Sequence, residues 1–248
     1  MDPGVQEFLD MLVREGVEVE RGLLIPSERR LAELSGMSRA RVREQLSGLQ
    51  MLGILQKVQG SGNVLVSPGT PGAGSGNGFE MMLRAGLVTV SHINEARETL
   101  EVAIAPKITE HVTDEQIQGL EDQVRAMVDA SSSRDFAGGL AADHTFHTSL
   151  LRIFANPITT YVVDGMNRAL HDLLLERRRI AISREIARNH GDLPRSFETD
   201  TVHFEITRAL RSRRKEAVTA AMEEHFELWR RICRGSELPV GRAAARES

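Results

Sequence analysis

The chain has 248 residues, 41% hydrophobic and 27% charged, which is typical of a globular protein with one large domain or two small ones. It has no apolar run long enough for a transmembrane helix, no signal-peptide pattern and a single cysteine, so we expect a cytoplasmic protein. The net charge of −4 excludes a positive electrostatic field over the whole protein, and the aromatic content of 4% argues against a base-stacking surface for single-stranded nucleic acid. Any DNA binding must therefore use a local positive patch.

The first part of the chain has the pattern of a helix-turn-helix. An amphipathic helix is predicted over residues 3–15, and Ser27 caps a second helix that ends at Gly36, where a left-handed residue is needed. Ser38 caps a third helix that continues to Leu52. A helix, a short glycine turn and a second helix are the signature of this DNA-binding motif.

A β-hairpin wing and a cluster of arginines accompany this motif. Two apolar segments at 54–55 and 64–66 flank a glycine-rich turn, and this arrangement predicts the wing. Residues 29–43 contain five arginines and one glutamate, a net charge of +4. Three of the arginines lie at the start of the third helix, where recognition helices meet base edges. Alone they are equally consistent with a solvated charged face, but with the turn and wing they indicate DNA binding.

Several motifs in this region resemble the GntR family of bacterial transcription regulators. They are P-S-E-R-x-L-A at 26–32, S-R-x-x-V-R-E-x-L at 38–46, L-x-x-x-G at 49–53 and G-x-G at 60–62. The resemblance implies DNA contacts by arginines of the two helices and by the tip of the wing. Together with the arginine pattern, it predicts the DNA-binding set Arg29, Ser38, Arg39, Arg41, Arg43, Gly60 and Gly62. Arg41 stands where that family usually has Thr or Pro, a difference that concerns operator preference.

A glycine- and proline-rich segment separates this part from a larger helical one. Residues 67–78 contain five Gly and two Pro and predict a flexible linker between a winged helix-turn-helix domain at 1–66 and a helical domain at 79–234, with a frayed tail at 235–248. Apolar residues at helical spacing predict helices at 91–112, 115–130, 134–154, 158–187, 196–211 and 213–233. The predicted fold is mainly α: three helices and a β-hairpin wing, then an all-helical antiparallel bundle of six to seven helices.

Polar residues lie on the inward faces of three of these helices. Asp143 and His147 are one helical turn apart, and His203 and His225 lie on the apolar stripes of the last two helices. A single inward histidine is more often a hydrogen-bonded core residue. Burying three imidazoles and a carboxylate is costly unless something satisfies them, and a divalent metal such as Zn, Ni or Mn does so.

The same residues resemble the ligand-binding FCD domain of FadR-type GntR regulators. The matching patterns are D-x-x-F-H at 143–147, H-x-x-I-x-x-A-L at 203–210 and a later histidine. The resemblance implies a metal held by Asp143, His147, His203 and His225. It also implies that Arg97, in E-A-R-x-x-L-E at 95–101, meets the carboxylate of an organic acid. The alternative for this arginine is an internally paired or snorkelling side chain.

The sequence therefore predicts a homodimeric transcription factor, not an enzyme. It would bind a short palindromic operator and respond to a small organic acid held by the metal and by Arg97. One alternative keeps the DNA-binding role but has a metal-free pocket for an acyl chain. The other is a metal-dependent hydrolase, with the adjacent pair His171-Asp172 as a candidate, although no Glu is placed as an obvious general base.

Overall fold

The computed structural model describes residues 3–58, 62–66, 76–194 and 196–233. The predicted wing-tip Gly60, most of the predicted linker and the predicted tail lie outside the described residues. The helices are α1 (Pro3–Glu15), α2 (Glu28–Ser35), α3 (Arg39–Met51), α4 (Gly76–Arg84), α5 (Val90–Ile104), a 3₁₀ helix (Ala105–Glu110), α6 (Asp114–Ser132), α7 (Phe136–Phe154), α8 (Pro157–Ala169), α9 (His171–Arg188), α10 (Glu198–Arg211) and α11 (Lys215–Cys233). The strands are β1 (Val17–Val19), β2 (Gly22–Leu24), β3 (Leu55–Val58) and β4 (Gly62–Val66).

The chain divides into two compact units. The first comprises Met1–Leu100 and Phe154–His171, and the second comprises Glu101–Ile153 and Asp172–Ser248. Helix α5 therefore contributes residues to both units. None of the helices that the structure describes is long and apolar enough to cross a membrane.

The helix-turn-helix prediction is confirmed by the caps in the first unit. The Ser27 side chain accepts a hydrogen bond from the backbone N–H of Arg30, and Ser38 accepts one from Arg41. Gly36 ends α2 with a φ of 69°, the left-handed conformation expected at this turn. The core beneath the two helices consists of Phe8, Met11, Leu12, Ile25, Leu31, Val42, Leu46, Leu49 and Leu55.

The sheet is larger than the predicted two-stranded wing. It is antiparallel with the order β1-β2-β4-β3, so the hairpin of β1 and β2 adds two strands that the sequence analysis missed. The first wing strand is also displaced from the predicted segment 54–55, because β3 runs from Leu55 to Val58 and pairs with β4. These strands are too short to show a periodicity of their own, and strand pairing fixes them: β1 pairs with β2, and β2 and β3 pair with β4.

Gly22 is required where β2 meets β4, and replacing it is expected to destabilise the fold. Its φ is 141°, and a Cβ at this position would lie 2.0 Å from the carbonyl oxygen of Leu65. We expect Gly22→Ala to lower the free energy of unfolding by on the order of 3 kcal/mol, because it combines backbone strain with a clash against backbone. The control is Gly48→Ala: Gly48 lies in α3 with open space around it, so the free energy should rise by about 0.5–1 kcal/mol. Chemical denaturation measures the free energy of unfolding of both variants. An equal change in the two variants would contradict the close approach of Gly22 to the backbone of Leu65.

The helical part differs from the prediction in three places. The predicted linker extends to residue 78, but Gly76, Asn77 and Gly78 belong to α4. The predicted helix 91–112 ends at Ile104, because Pro106 follows and the chain continues as the 3₁₀ helix. The predicted helix 158–187 is two helices that meet at Leu170. As a result eight α-helices follow β4 among the described residues, instead of six to seven.

The second unit is built around the last helices of the chain. Helix α10 packs against α6 and α11, and α11 packs against the 3₁₀ helix. The N-terminus of α10 has no side-chain cap of its own; instead Glu185 of α9 accepts hydrogen bonds from the backbone N–H groups of Glu198 and Thr199, at 2.7 and 3.3 Å. Helix α9 thus fixes the start of the helix that carries His203.

Candidate DNA-binding surface and metal site

The predicted DNA-binding arginines lie on the exposed side of α2 and α3. The side chains of Arg29, Arg41 and Arg43 are 68%, 54% and 64% exposed. Arg29 pairs with Glu33 at 2.8 Å and Arg41 with Glu44 at 3.5 Å, both within their own helices. Because exposed pairs of this kind contribute little stability, these guanidinium groups can exchange a carboxylate for a phosphate at small cost.

Arg39 and Arg43 differ in their surroundings. Arg39 is exposed in the first turn of α3 and makes no ion pair with any residue that the structure describes. Arg43 lies 3.4 Å from Glu28 of α2, so this pair connects the two helices of the motif. Ser38 caps α3, which gives it a structural role, and Gly62 begins β4 with a φ of 104°. The surface has the arginine-rich helix start that major-groove binding requires.

The four predicted metal ligands lie together in the second unit. Helix α7 carries Asp143 and His147, α10 carries His203 and α11 carries His225. The ligand atoms of the three histidines all lie within 4.8 Å of one another, and all three residues are buried. Four other histidines, at positions 92, 111, 171 and 190, are exposed.

Asp143 completes the cluster from the side of α7. Its Oδ1 lies 3.1 Å from the Nε2 of His203 and 3.8 Å from the Nε2 of His147. Its side chain is 18% exposed, whereas those of His147 and His203 are at most 2% exposed. The ring centroids of His203 and His225 are 4.5 Å apart. The three imidazoles therefore converge on one point, and the Asp143 carboxylate lies beside two of them.

Hydrogen bonds on the opposite side of two rings determine which nitrogen faces this point. The Nδ1 of His147 bonds to the carboxylate of Glu101 on α5, and the Nδ1 of His203 bonds to the backbone carbonyl of Asp200 at 3.0 Å. With Nδ1 as the donor in each ring, Nε2 keeps its lone pair. Metal-bound histidines have this arrangement, because an outer oxygen fixes both the tautomer and the ring orientation.

The donor set fits a divalent transition metal. The Nε2 atoms of His147 and His203 are buried and make no hydrogen bond of acceptable geometry among the described residues, although the Oδ1 of Asp143 lies 3.1 Å from the Nε2 of His203. Leaving such atoms unsatisfied is costly, and a metal ion satisfies them together. Bonds of about 2.1 Å from nitrogen and oxygen to zinc place neighbouring donors about 3.4 Å apart in a tetrahedral site. The Oδ1 of Asp143 lies at comparable distances, 3.1 and 3.8 Å, from the Nε2 atoms of His203 and His147.

Two features of α5 concern the effector prediction. Arg97 is 4% exposed and Glu101 is 3% exposed, so both polar side chains are buried. They are four residues apart in α5, so their side chains project from the same face of the helix. Glu101 was missed by the sequence analysis, which assigned it no role. The one signal in the sequence was that Glu101 follows Arg97 by about one helical turn. Its partner His147 is 46 residues away, so the sequence did not indicate their contact.

Comparisons with known proteins agree with this description. The FCD domain family matches residues 92–228. The chain is 27% identical over 173 residues to the HTH-type transcriptional regulator LutR of Bacillus subtilis, covering 68% of this chain and 75% of LutR. It is also 27% identical over 225 residues to the HTH-type transcriptional repressor NanR of Edwardsiella tarda, covering 90% of this chain and 81% of NanR. Among solved structures, Streptococcus agalactiae GntR matches with a TM-score of 0.60 and 26% identity, covering 92% of this chain and 97% of that one.

Proposed function

Because this chain belongs to the FCD-domain family of GntR-type transcription regulators, we propose that it is a metal-containing repressor controlled by a small carboxylate effector. It acts in the cytoplasm as a homodimer and binds a short palindromic operator. Two recognition helices α3, about one helical turn of DNA apart, enter successive major grooves. The observation that supports DNA binding is the arginine-rich start of α3, which is exposed and capped by Ser38.

The metal is held by Asp143, His147, His203 and His225. The unsatisfied, buried Nε2 atoms of two of these histidines are the observation that supports it. Zn, Ni or Mn suits a donor set of three imidazoles and one carboxylate. When bound, the ion would supply a positive charge that attracts a carboxylate.

Arg97 is the residue proposed to pair with the effector's carboxylate. A guanidinium presents two parallel N–H donors that match two carboxylate oxygens, and burial makes such a pair strong. Binding of the effector changes operator affinity through a coupling free energy, and about 1–3 kcal/mol is enough for changes of 5- to 150-fold.

The structure offers less support for the two alternatives. An acyl-chain pocket without metal is expected to be apolar, whereas three buried histidines surround this point. A hydrolase needs a general base beside the metal, but the nearby Glu101 is bonded to the Nδ1 of His147, on the edge of the ring away from Nε2.

The DNA-binding role is tested by removing arginines from α3. We expect Arg39→Ala and Arg43→Ala each to weaken specific binding by about 1–3 kcal/mol, or about 5- to 150-fold, because both are exposed contacts outside the core. The measurement is fluorescence anisotropy with a duplex that the wild-type protein selects from a random-sequence pool. Arg14→Ala is the control, since Arg14 is equally exposed but lies on α1. Unchanged affinity in both α3 variants would rule out α3 as the recognition helix.

A further inference from the structure

A buried ion pair lies beside His203 in the second unit. It joins Arg178 of α9, which is 8% exposed, to Asp200 of α10, which is fully buried. The Nη2 of Arg178 donates to the Oδ1 of Asp200 at 2.6 Å and to the hydroxyl oxygen of Ser131 at 2.8 Å. It also approaches the carbonyl oxygen of Met127 at 3.4 Å. One guanidinium thus connects three helices.

Stability of the fold does not by itself explain this pair. Removing two charges from water is expensive, and an apolar pair of similar volume is often at least as stable. The pair is also incompletely satisfied, because the Nε of Arg178 and the Oδ2 of Asp200 have no hydrogen-bond partner among the described residues. The guanidinium is tightly enclosed: a Cβ on Gly139 of α7 would lie 2.4 Å from the Nε of Arg178.

The pair is connected to the metal site through a single residue. The side chain of Asp200 bonds to Arg178, and its backbone carbonyl accepts the hydrogen bond from the Nδ1 of His203 at 3.0 Å. Asp200 lies in the first turn of α10, whose cap residue Phe197 makes no side-chain hydrogen bond. Contacts from α9, including Arg178, therefore hold this turn in place.

We propose that Arg178 is a positioning residue for the metal site. By fixing Asp200 it holds the carbonyl that orients the imidazole of His203, so that Nε2 faces the other donors. Glu101 stands in the same relation to His147, except that its side-chain carboxylate, and not a backbone carbonyl, bonds to the ring. This inference rests on the proposed metal-binding function.

The test removes both charges at once, in the double variant Arg178→Met with Asp200→Leu. Because no buried charge is left uncompensated, the variant is expected to fold with a denaturation midpoint at or above that of the wild type. We expect its affinity for Zn²⁺ to fall by about tenfold or more, the range seen when outer partners of metal ligands are removed. Competition with a chromophoric chelator measures the affinity, and chemical denaturation measures the stability. Arg179→Met is the control, since Arg179 pairs with Glu176 at the surface.

A second variant keeps the proposal testable if the double variant fails to fold. Ser131→Ala removes one hydrogen bond of Arg178 and leaves both charges, so Zn²⁺ binding should weaken by a few-fold. Wild-type affinity for Zn²⁺ in a folded double variant, or in Ser131→Ala if only that variant folds, would overturn the positioning role. A wild-type protein that binds no Zn²⁺ would remove the proposed metal function and this inference with it.

Discussion

His203→Ala is expected to abolish stoichiometric metal binding. The wild-type protein should retain about one divalent ion per chain and gain thermal stability from it, because a ligand that binds only the folded state stabilises that state. His203 supplies one of four proposed donors, and its Nε2 lies 3.1 Å from the Oδ1 of Asp143. Without it the affinity for Zn²⁺ should fall by more than about 100-fold, beyond the effect of losing an outer partner. His225→Ala should act in the same way.

Equilibrium dialysis against Zn²⁺ followed by elemental analysis measures this effect. His190→Ala is the matched control, because His190 is an exposed histidine outside the cluster. Thermal denaturation with and without Zn²⁺ should show a shift for the wild type and the control, but not for His203→Ala. A protein that is indifferent to Zn, Ni and Mn would favour the metal-free acyl-chain alternative.

Arg97→Ala is expected to produce a regulator that binds its operator but no longer responds to its effector. The side chain is 4% exposed, so a carboxylate paired with it is shielded from water. Loss of a buried charge pair costs about 2–5 kcal/mol, which corresponds to about 30- to 4,000-fold weaker effector binding. Metal content and operator affinity without effector should stay close to wild type, since neither depends on this guanidinium in the proposed function.

The Arg97 variant needs a matched surface arginine for comparison. Arg125→Ala serves this purpose, because Arg125 is 53% exposed and its ion pairs among the described residues are with acidic residues of its own helix α6. Titration calorimetry measures effector binding, and anisotropy measures operator binding. Parallel loss of operator binding and effector response in Arg97→Ala alone would show that Arg97 is a structural residue, and the effector site would then have to lie elsewhere.

Local signals in the sequence were enough to predict much of the fold. The caps Ser27 and Ser38 and the left-handed Gly36 fix the ends of α2 and α3, and the structure has these helices where they were predicted. The inward histidines could be recognised because apolar periodicity defines a buried face, on which a polar residue stands out.

Features that depend on distant parts of the chain could not be predicted. The break at Leu170 has no Gly or Pro to mark it, and apolar periodicity continues through it. The contacts of Glu101 and Arg178 also join residues more than twenty positions apart. A single sequence shows which side chains are buried but not which of them meet.

A thermal-shift screen of small carboxylates against metal-loaded and metal-free protein tests the proposed function most directly. The panel should include hydroxy acids, sugar acids and amino acids, and each acid should be measured on the Zn²⁺-loaded protein, the chelator-treated protein and the His203→Ala variant. The proposed function predicts that at least one acid raises the melting temperature of the Zn²⁺-loaded protein and leaves the other two unchanged. An equal rise in all three samples, or no rise with any acid in the panel, would contradict a carboxylate effector held by the metal.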